Sequence, residues 1–258
     1  MRGKGDLRDA ERDEKLLAED HARVGGYGLT DRPYQAIVCS MSKETRHIAH
    51  QHTATVSPDA GALFAVAELQ AGYFTTAQAG GAGYSRQLVA HHAAAGNFER
   101  VSRGVYRMAR YPGTPREDLY VAWLQAGPDA VVSHDSALDV YDLSDIMPSE
   151  IHLTLPRTSS RRRTGIRMHT TPLDPTEVTS REGLPITTVA RTIVDVIRAG
   201  TSTEHVARAI DEALTRGMVT EADLQAQAAA RGGRVAKVIA MAAVQRPRSP
   251  ESSTPVPR

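Results

Sequence analysis

The chain has 258 residues, 41% hydrophobic and 24% charged, with 31 Lys and Arg against 30 Asp and Glu and a single cysteine. That balance is ordinary for a globular protein with room for one large domain or two small ones. No apolar run reaches the roughly 18 residues a membrane span needs, and no secretory pattern follows Met1. Cys39 alone excludes both an intramolecular disulfide and a cysteine zinc cage. A cytoplasmic protein that makes no membrane contact is expected.

Net charge is only +1, yet its distribution is uneven. Residues 1–58 carry nine basic and nine acidic side chains. The window 85–110 carries Arg86, Arg100, Arg103, Arg107 and Arg110 against Glu99 alone. The window 156–169 carries Arg157, Arg161, Arg162, Arg163 and Arg167 and no acid. Two basic patches on a neutral chain can neutralise phosphates locally.

In chain order, residues 1–58 have few aliphatic residues and no sustained period, so they are expected to be largely disordered. Met41 sits where a shorter product could begin, so residues 1–40 are a candidate non-native extension. Order begins near Gly61. Leu63–Ala71 predicts a helix with Phe64, Ala67 and Ala71 on its inner face, closed by Gly72. Thr75 and Gln78 form a capping-box pattern that opens a short helix, cut off by Gly80-Gly81-Ala82-Gly83. Ser85 caps the next helix, with Leu88, Ala95 and one of His91 or His92 inward. Phe98–Val101 and Val105–Met108 read as two strands joined by Ser102-Arg103-Gly104. Helix, short helix, helix and hairpin within about fifty residues is the plan of a winged helix-turn-helix, whose third helix fits a major groove about 12 Å wide.

Thr114-Pro115-Arg116-Glu117 reads as another capping box, followed by an apolar stripe at Leu119, Ala122, Trp123 and Ala126. A short apolar run, Ala130–Ser133, precedes a helix through Tyr141. Ile151–Leu155 and Ile166–His169 read as paired strands across the arginine-rich connection. Thr188 caps a helix bearing Val189, Ile193, Val196 and Ile197. Helices over Thr203–Arg216, Glu221–Ala230 and Val235–Val244 follow. The tail 246–258, with four prolines and three serines, is expected to be disordered. The fold class is therefore α+β: a winged helix-turn-helix over 59–112, then a mixed α/β unit over 113–245 with a helical C-terminal part.

Arg86 and Gln87 lie in the first turn of the third helix, where Arg can pair bidentately with guanine and Gln with adenine. His91 is one turn along the face of Gln87. Ser85 and the first backbone amides suit a phosphate. Arg100, Arg103 and Arg107 on the hairpin are phosphate or minor-groove candidates, or else guard an edge strand. Arg157, Arg161, Arg162, Arg163 and Arg167 fit a second DNA contact, a dock for an acidic partner, or a solvated loop. The dock would define an alternative function, a protein-interaction module without specific DNA recognition.

No catalytic constellation is legible, and no enzyme, cofactor or metal is expected. Ser133-His134-Asp135-Ser136 places triad residue types side by side, but adjacent residues do not converge as a triad must. Ser133 as helix cap accounts for it. The ten histidines lack H-x-x-x-H spacing and read as surface or packing residues. Arg191 and Asp195 form an i,i+4 structural pair. No Walker or G-x-G-x-x-G loop is present.

Three strings, Tyr73-Phe74-Thr75-Thr76-Ala77-Gln78-Ala79, Gly83-Tyr84-Ser85-Arg86 and Arg100-Val101-Ser102-Arg103-Gly104-Val105-Tyr106-Arg107, resemble the winged helix of AbiEi-type antitoxins of type IV toxin–antitoxin systems. Val132–Ala137, Ile151–Pro156 and Leu184–Thr192 resemble the domain that follows it in actinobacterial members. The resemblance implies a repressor that binds repeats in its own promoter. It also implies a nucleotidyltransferase-type toxin as functional counterpart, without requiring that the two touch. Arg246–Ser252 resembles the entrance to an endonuclease-like domain carried by some relatives.

Overall fold

Asp59 opens the first helix by accepting a hydrogen bond from the Ala62 amide at 2.9 Å. This α1 runs Ala60–Glu68. The computed structural model describes residues 57–145, 148–155 and 164–245; the expectations for 1–56 and 246–258 lie outside them. The predicted inner face of α1 is corrected. Leu63 and Ala67 are fully buried and Phe64 is 48% exposed. The helix starts three residues earlier than the pattern implied and ends at Glu68, so Ala71 is not on it.

A short strand, β1 (Tyr73–Thr75), comes next. It was not expected, because its pairing partner lies some thirty residues downstream. Helix α2 (Thr76–Gly81) forms behind the Thr75–Gln78 capping box, both halves of which are made. Helix α3 (Arg86–Ala94) is capped by Ser85 Oγ, which accepts from Leu88 N at 3.2 Å. Strands β2 (Phe98–Ser102) and β3 (Val105–Met108) are antiparallel, with a register shift between Arg100 and Ser102. The small sheet has the order β1-β3-β2. This is a winged helix-turn-helix.

The two faces of that sheet enter different cores. Phe74 and Tyr106 join Leu63, Ala67, Ala79, Tyr84, Val89 and Phe98 in the helix-turn-helix core. Tyr73 and Val105 join the larger core that follows. The side-chain period of a strand is two, so neighbours point to opposite faces. Three residues of β1 are thereby enough to stitch one core to the other. Tyr73 stacks on Tyr120 at 5.6 Å and donates its hydroxyl to Glu117 at 2.7 Å. Burial, together with that carboxylate, pushes the Tyr73 phenol well above its usual range. Gln125 Nε2 donates to Ser102 Oγ at 2.7 Å, tying the wing to the next helix.

That helix, α4 (Glu117–Ala126), buries Leu119, Ala122 and Trp123 of its predicted stripe, with Ala126 half-buried and Tyr120, outside the stripe, buried as well. The predicted capping box at its start does not form. The Glu117 carboxylate, which would have closed it, is taken by Tyr73 instead. Strand β4 (Val131–Val132) and helix α5 (His134–Val140) follow. Ser133 stands at the N-cap of α5, but its hydroxyl caps no backbone amide of the helix, which corrects the capping expectation. It accepts instead from Thr154 at 2.8 Å and meets His134 Nδ1 at 3.0 Å.

The second sheet contains β4, β5 (Ile151–Thr154), β6 (Ile166–His169), β7 (Val178–Arg181) and β8 (Leu184–Thr187), in the order β6-β5-β4-β8-β7. β5 and β6 pair as expected, and the pairing is parallel. Helices α6 (Val189–Ala199), α7 (Thr203–Thr215), α8 (Glu221–Arg231) and α9 (Gly233–Gln245) complete the chain's described part. The core places β4, β5 and β8 against α4, α5 and α6, with the later helices packed on α6. Arg191 on α6 is fully buried, bonded to Asp195 at 2.8 Å and to Glu177 at 2.5 Å. Arg231 closes the same carboxylate cluster through Glu177. The pair is structural, since both partners lie inside the core. Among the described residues, no helix is long and apolar enough to cross a membrane.

Candidate nucleic-acid interface

Helix α3 is held on the domain by one fully buried side chain, Val89, and by the half-buried Leu88, His92 and Ala93. Val89 is the anchor that the sequence pattern missed. Leu88 had been assigned that role along with Ala95, which is exposed just past the helix end. Of the two histidines, His92 turns inward. It packs on Tyr84 and Phe98, with ring centroids 5.6 and 5.0 Å away, and contacts Asn97 at 3.2 Å. His91 stays exposed.

The outward face of α3 carries Arg86, Gln87, Ala90, His91 and Ala94, all exposed. These positions follow the helical period. Two alanines between the polar side chains let this face approach a surface closely, without long side chains in the way. The turn into α3 depends on Gly83, whose φ is +82°. A Cβ there would lie 2.9 Å from the Ser57 carbonyl oxygen, so only glycine fits without a shift. Ser85 is exposed, and its hydroxyl is engaged by Leu88 N.

On the wing, Arg100 and Arg103 are exposed, Arg103 at the turn. Among the described residues no ion pair engages Arg86, Arg100 or Arg103. Arg107 is different. Its guanidinium is only 17% exposed and bonds Glu99 across the hairpin, where the two residues sit in register. That carboxylate raises the guanidinium's proton affinity further. Of these four arginines, three are therefore uncompensated and one is compensated. Of the second basic patch, Arg167 is exposed on β6. Arg157, Arg161, Arg162 and Arg163 lie outside the described residues.

Residues 62–109 match a family described as "Transcriptional regulator, AbiEi antitoxin". Over this segment the chain resembles an AbiEi regulator. The AbiEi-like match begins inside α1 and ends just past β3, so it covers the winged helix and leaves out the second sheet. A solved structure, "Crystal structure of RV2827C protein from Mycobacterium tuberculosis", aligns at 14% identity over 74% of this chain and 80% of that one. Its TM-score to this chain is 0.33. Comparison with curated proteins gives no match.

One arrangement escaped sequence reasoning. His134, His152 and His169 are distant in sequence and share no motif, yet they converge at the start of α5 and on the β5/β6 strand pair. Read from the sequence as isolated, these three histidines stand together, two buried and one half-buried. The signal that could have found two of them is strand alternation. His152 and His169 lie on adjacent strands, and His169 pairs with Thr154, two residues on from His152, so the two point to the same face.

Proposed function

We propose that the chain is a sequence-specific, double-stranded DNA-binding transcriptional repressor, with residues 59–112 as its reading module and 113–245 as a separate functional unit. The observation that carries this is the outward face of α3, an uncompensated Arg86 beside Gln87 and His91, presented on a winged-helix scaffold that resembles AbiEi regulators. In this reading α3 enters the major groove. Arg86 and Gln87 address base edges there, while Ser85 and the first amides of α3 face a phosphate. Arg100 and Arg103 hold the backbone beside the groove. Arg107 supports the wing through Glu99 rather than contacting DNA directly.

The DNA is expected to be repeats in the protein's own promoter, and the physiological role that of the antitoxin in a type IV pair. A nucleotidyltransferase-like toxin would be the counterpart, countered without obligatory contact. Both rest on the AbiEi resemblance. Fluorescence anisotropy with the gene's upstream region and a scrambled duplex tests the core of the proposal. Arg86→Ala is expected to weaken binding to the upstream region more than to the scrambled duplex. Equal loss on both would make Arg86 a phosphate contact, and no binding to either would end the reading.

A further inference from the structure

Ring nitrogens of His134, His152 and His169 all lie within 4.8 Å of one another. The His134 and His169 rings stack at 3.5 Å with their planes 13° apart, and His152 sits 5.7 and 5.2 Å from them. His134 and His152 are buried and His169 is half-buried. Packing alone is a poor account of this cluster. His152 Nδ1 and His169 Nε2 are buried without a hydrogen-bond partner, and buried polar atoms are normally paired. His134 also adopts a φ of +53°, a left-handed conformation uncommon for a residue with a Cβ. Such strain gathers where surrounding structure holds a functional group in place.

The surroundings do hold it. Ser133 N donates to the His152 carbonyl at 3.1 Å, and His152 N donates to Ser136 Oγ at 2.8 Å. This locks the start of α5 to β5. Ser133 Oγ, supported by Thr154, lies 3.0 Å from His134 Nδ1. An oxygen held against one ring nitrogen is the usual device for orienting a metal-binding imidazole through the other. The Asp135 carboxylate lies 3.8 Å from His152 Nδ1, an oxygen donor at the edge of the cluster.

We propose that His134, His152 and His169 form a binding site for one divalent transition-metal ion, zinc being the best match, with Asp135 as the nearest fourth donor. Three imidazoles with a carboxylate are ligands that zinc accepts in tetrahedral geometry. At zinc–nitrogen distances of about 2.0–2.1 Å the nitrogens would stand roughly 3.4 Å apart, so the observed cluster needs to close by about 1.4 Å at most. The site lies in the second unit and does not depend on the DNA-binding reading.

The test uses the full chain, stripped with a chelator and titrated with zinc against a chromophoric competitor. Cobalt(II) serves as a spectroscopic probe in a parallel titration. One equivalent of zinc per chain is expected, with the strong visible absorption of four-coordinate cobalt. His152→Gln and His169→Gln are each expected to weaken zinc at least a hundredfold. Zinc should raise the melting temperature of the wild type and not of His169→Gln. The chain also carries His47, His50 and His52 close together in sequence. The H47A/H50A/H52A triple variant must therefore retain the wild-type affinity. Absence of stoichiometric zinc in the wild type overturns the proposal even where a histidine variant fails to fold. So does unchanged affinity in His169→Gln, or loss of binding in the triple variant.

Discussion

The wing provides an internal comparison between a free and a compensated arginine. Arg103 is exposed at the hairpin turn with no ion pair, while Arg107 is 17% exposed and bonded to Glu99. A free arginine that neutralises one phosphate contributes about 0.9 to the slope of log affinity against log salt. Between 50 and 200 mM salt, one such contact therefore changes affinity by roughly 3.5-fold. Arg103→Ala is expected to lower the slope by about one and the affinity by about 1 kcal/mol or more on any duplex. Arg107 already has its counter-charge in Glu99, so Arg107→Ala should change the slope much less. Glu99→Gln releases the Arg107 guanidinium and should steepen the slope towards one additional contact. The assay is anisotropy against the upstream duplex at four or more salt concentrations, with each variant's fold checked by circular dichroism. Equal slopes for Arg103→Ala and Arg107→Ala would refute the distinction. An unchanged slope in Arg103→Ala would take the wing out of the interface altogether.

Three further predictions concern the scaffold. Gly183 has a φ of +77°, and a Cβ there would lie 2.1 Å from the Leu69 carbonyl oxygen; Gly200, at +94°, has nothing within 4 Å. Gly200→Ala should cost about 1–2 kcal/mol for conformation alone. Gly183→Ala should cost clearly more by urea denaturation, and equal costs would show that the contact relaxes freely. Arg191→Ala strands the buried Asp195, while the half-buried Glu177 keeps Arg231, and should cost about 3–5 kcal/mol. Arg191→Met with Asp195→Leu should recover much of that, and no recovery would mean the charges themselves are needed. Phe74 is fully buried against Phe98 and Tyr106. Phe74→Ala should cost about 3–5 kcal/mol, and a cost below 1 kcal/mol in the same titration would contradict its place in the core.

What was legible in the sequence was local. Capping boxes, apolar stripes and turn glycines are written within one or two helical turns, and α2, α3, α4, α6 and the hairpin followed from them. The failures were also physical. β1 has three residues and exists because β3 pairs with it, so no local period announces it. Glu117 had two competing partners, and the cap lost to a Tyr73 hydroxyl 44 positions away. Ser133 fitted a cap pattern, but burial beside Thr154 and His134 offered its hydroxyl a different bond. The exposure of Arg86 and Gln87 was readable from helical period, whereas which of His91 and His92 turns inward was settled only by the packing of His92 on Tyr84 and Phe98. The compensation of Arg107 was readable only once Glu99 was known to sit opposite it.

The wing sheet links these points to function. A wing that packs on a single core can shift its tip relative to the recognition helix. Here Phe74 and Tyr106 fix one face to the helix-turn-helix core, while Tyr73 and Val105 fix the other to the second unit. The register that sets Phe74 opposite Tyr106 and Thr75 opposite Val105 keeps both faces filled at once. A one-residue slip would turn every side chain to the wrong core, so the register is strongly specified. The spacing between α3 and Arg103 is then a property of the whole fold rather than of the hairpin. Loosening the Tyr73–Tyr120 stack, for example by Tyr120→Ala, should therefore reduce DNA affinity without touching any residue of the proposed interface. An affinity unchanged at a temperature where the variant is folded would show that the second core leaves the wing free.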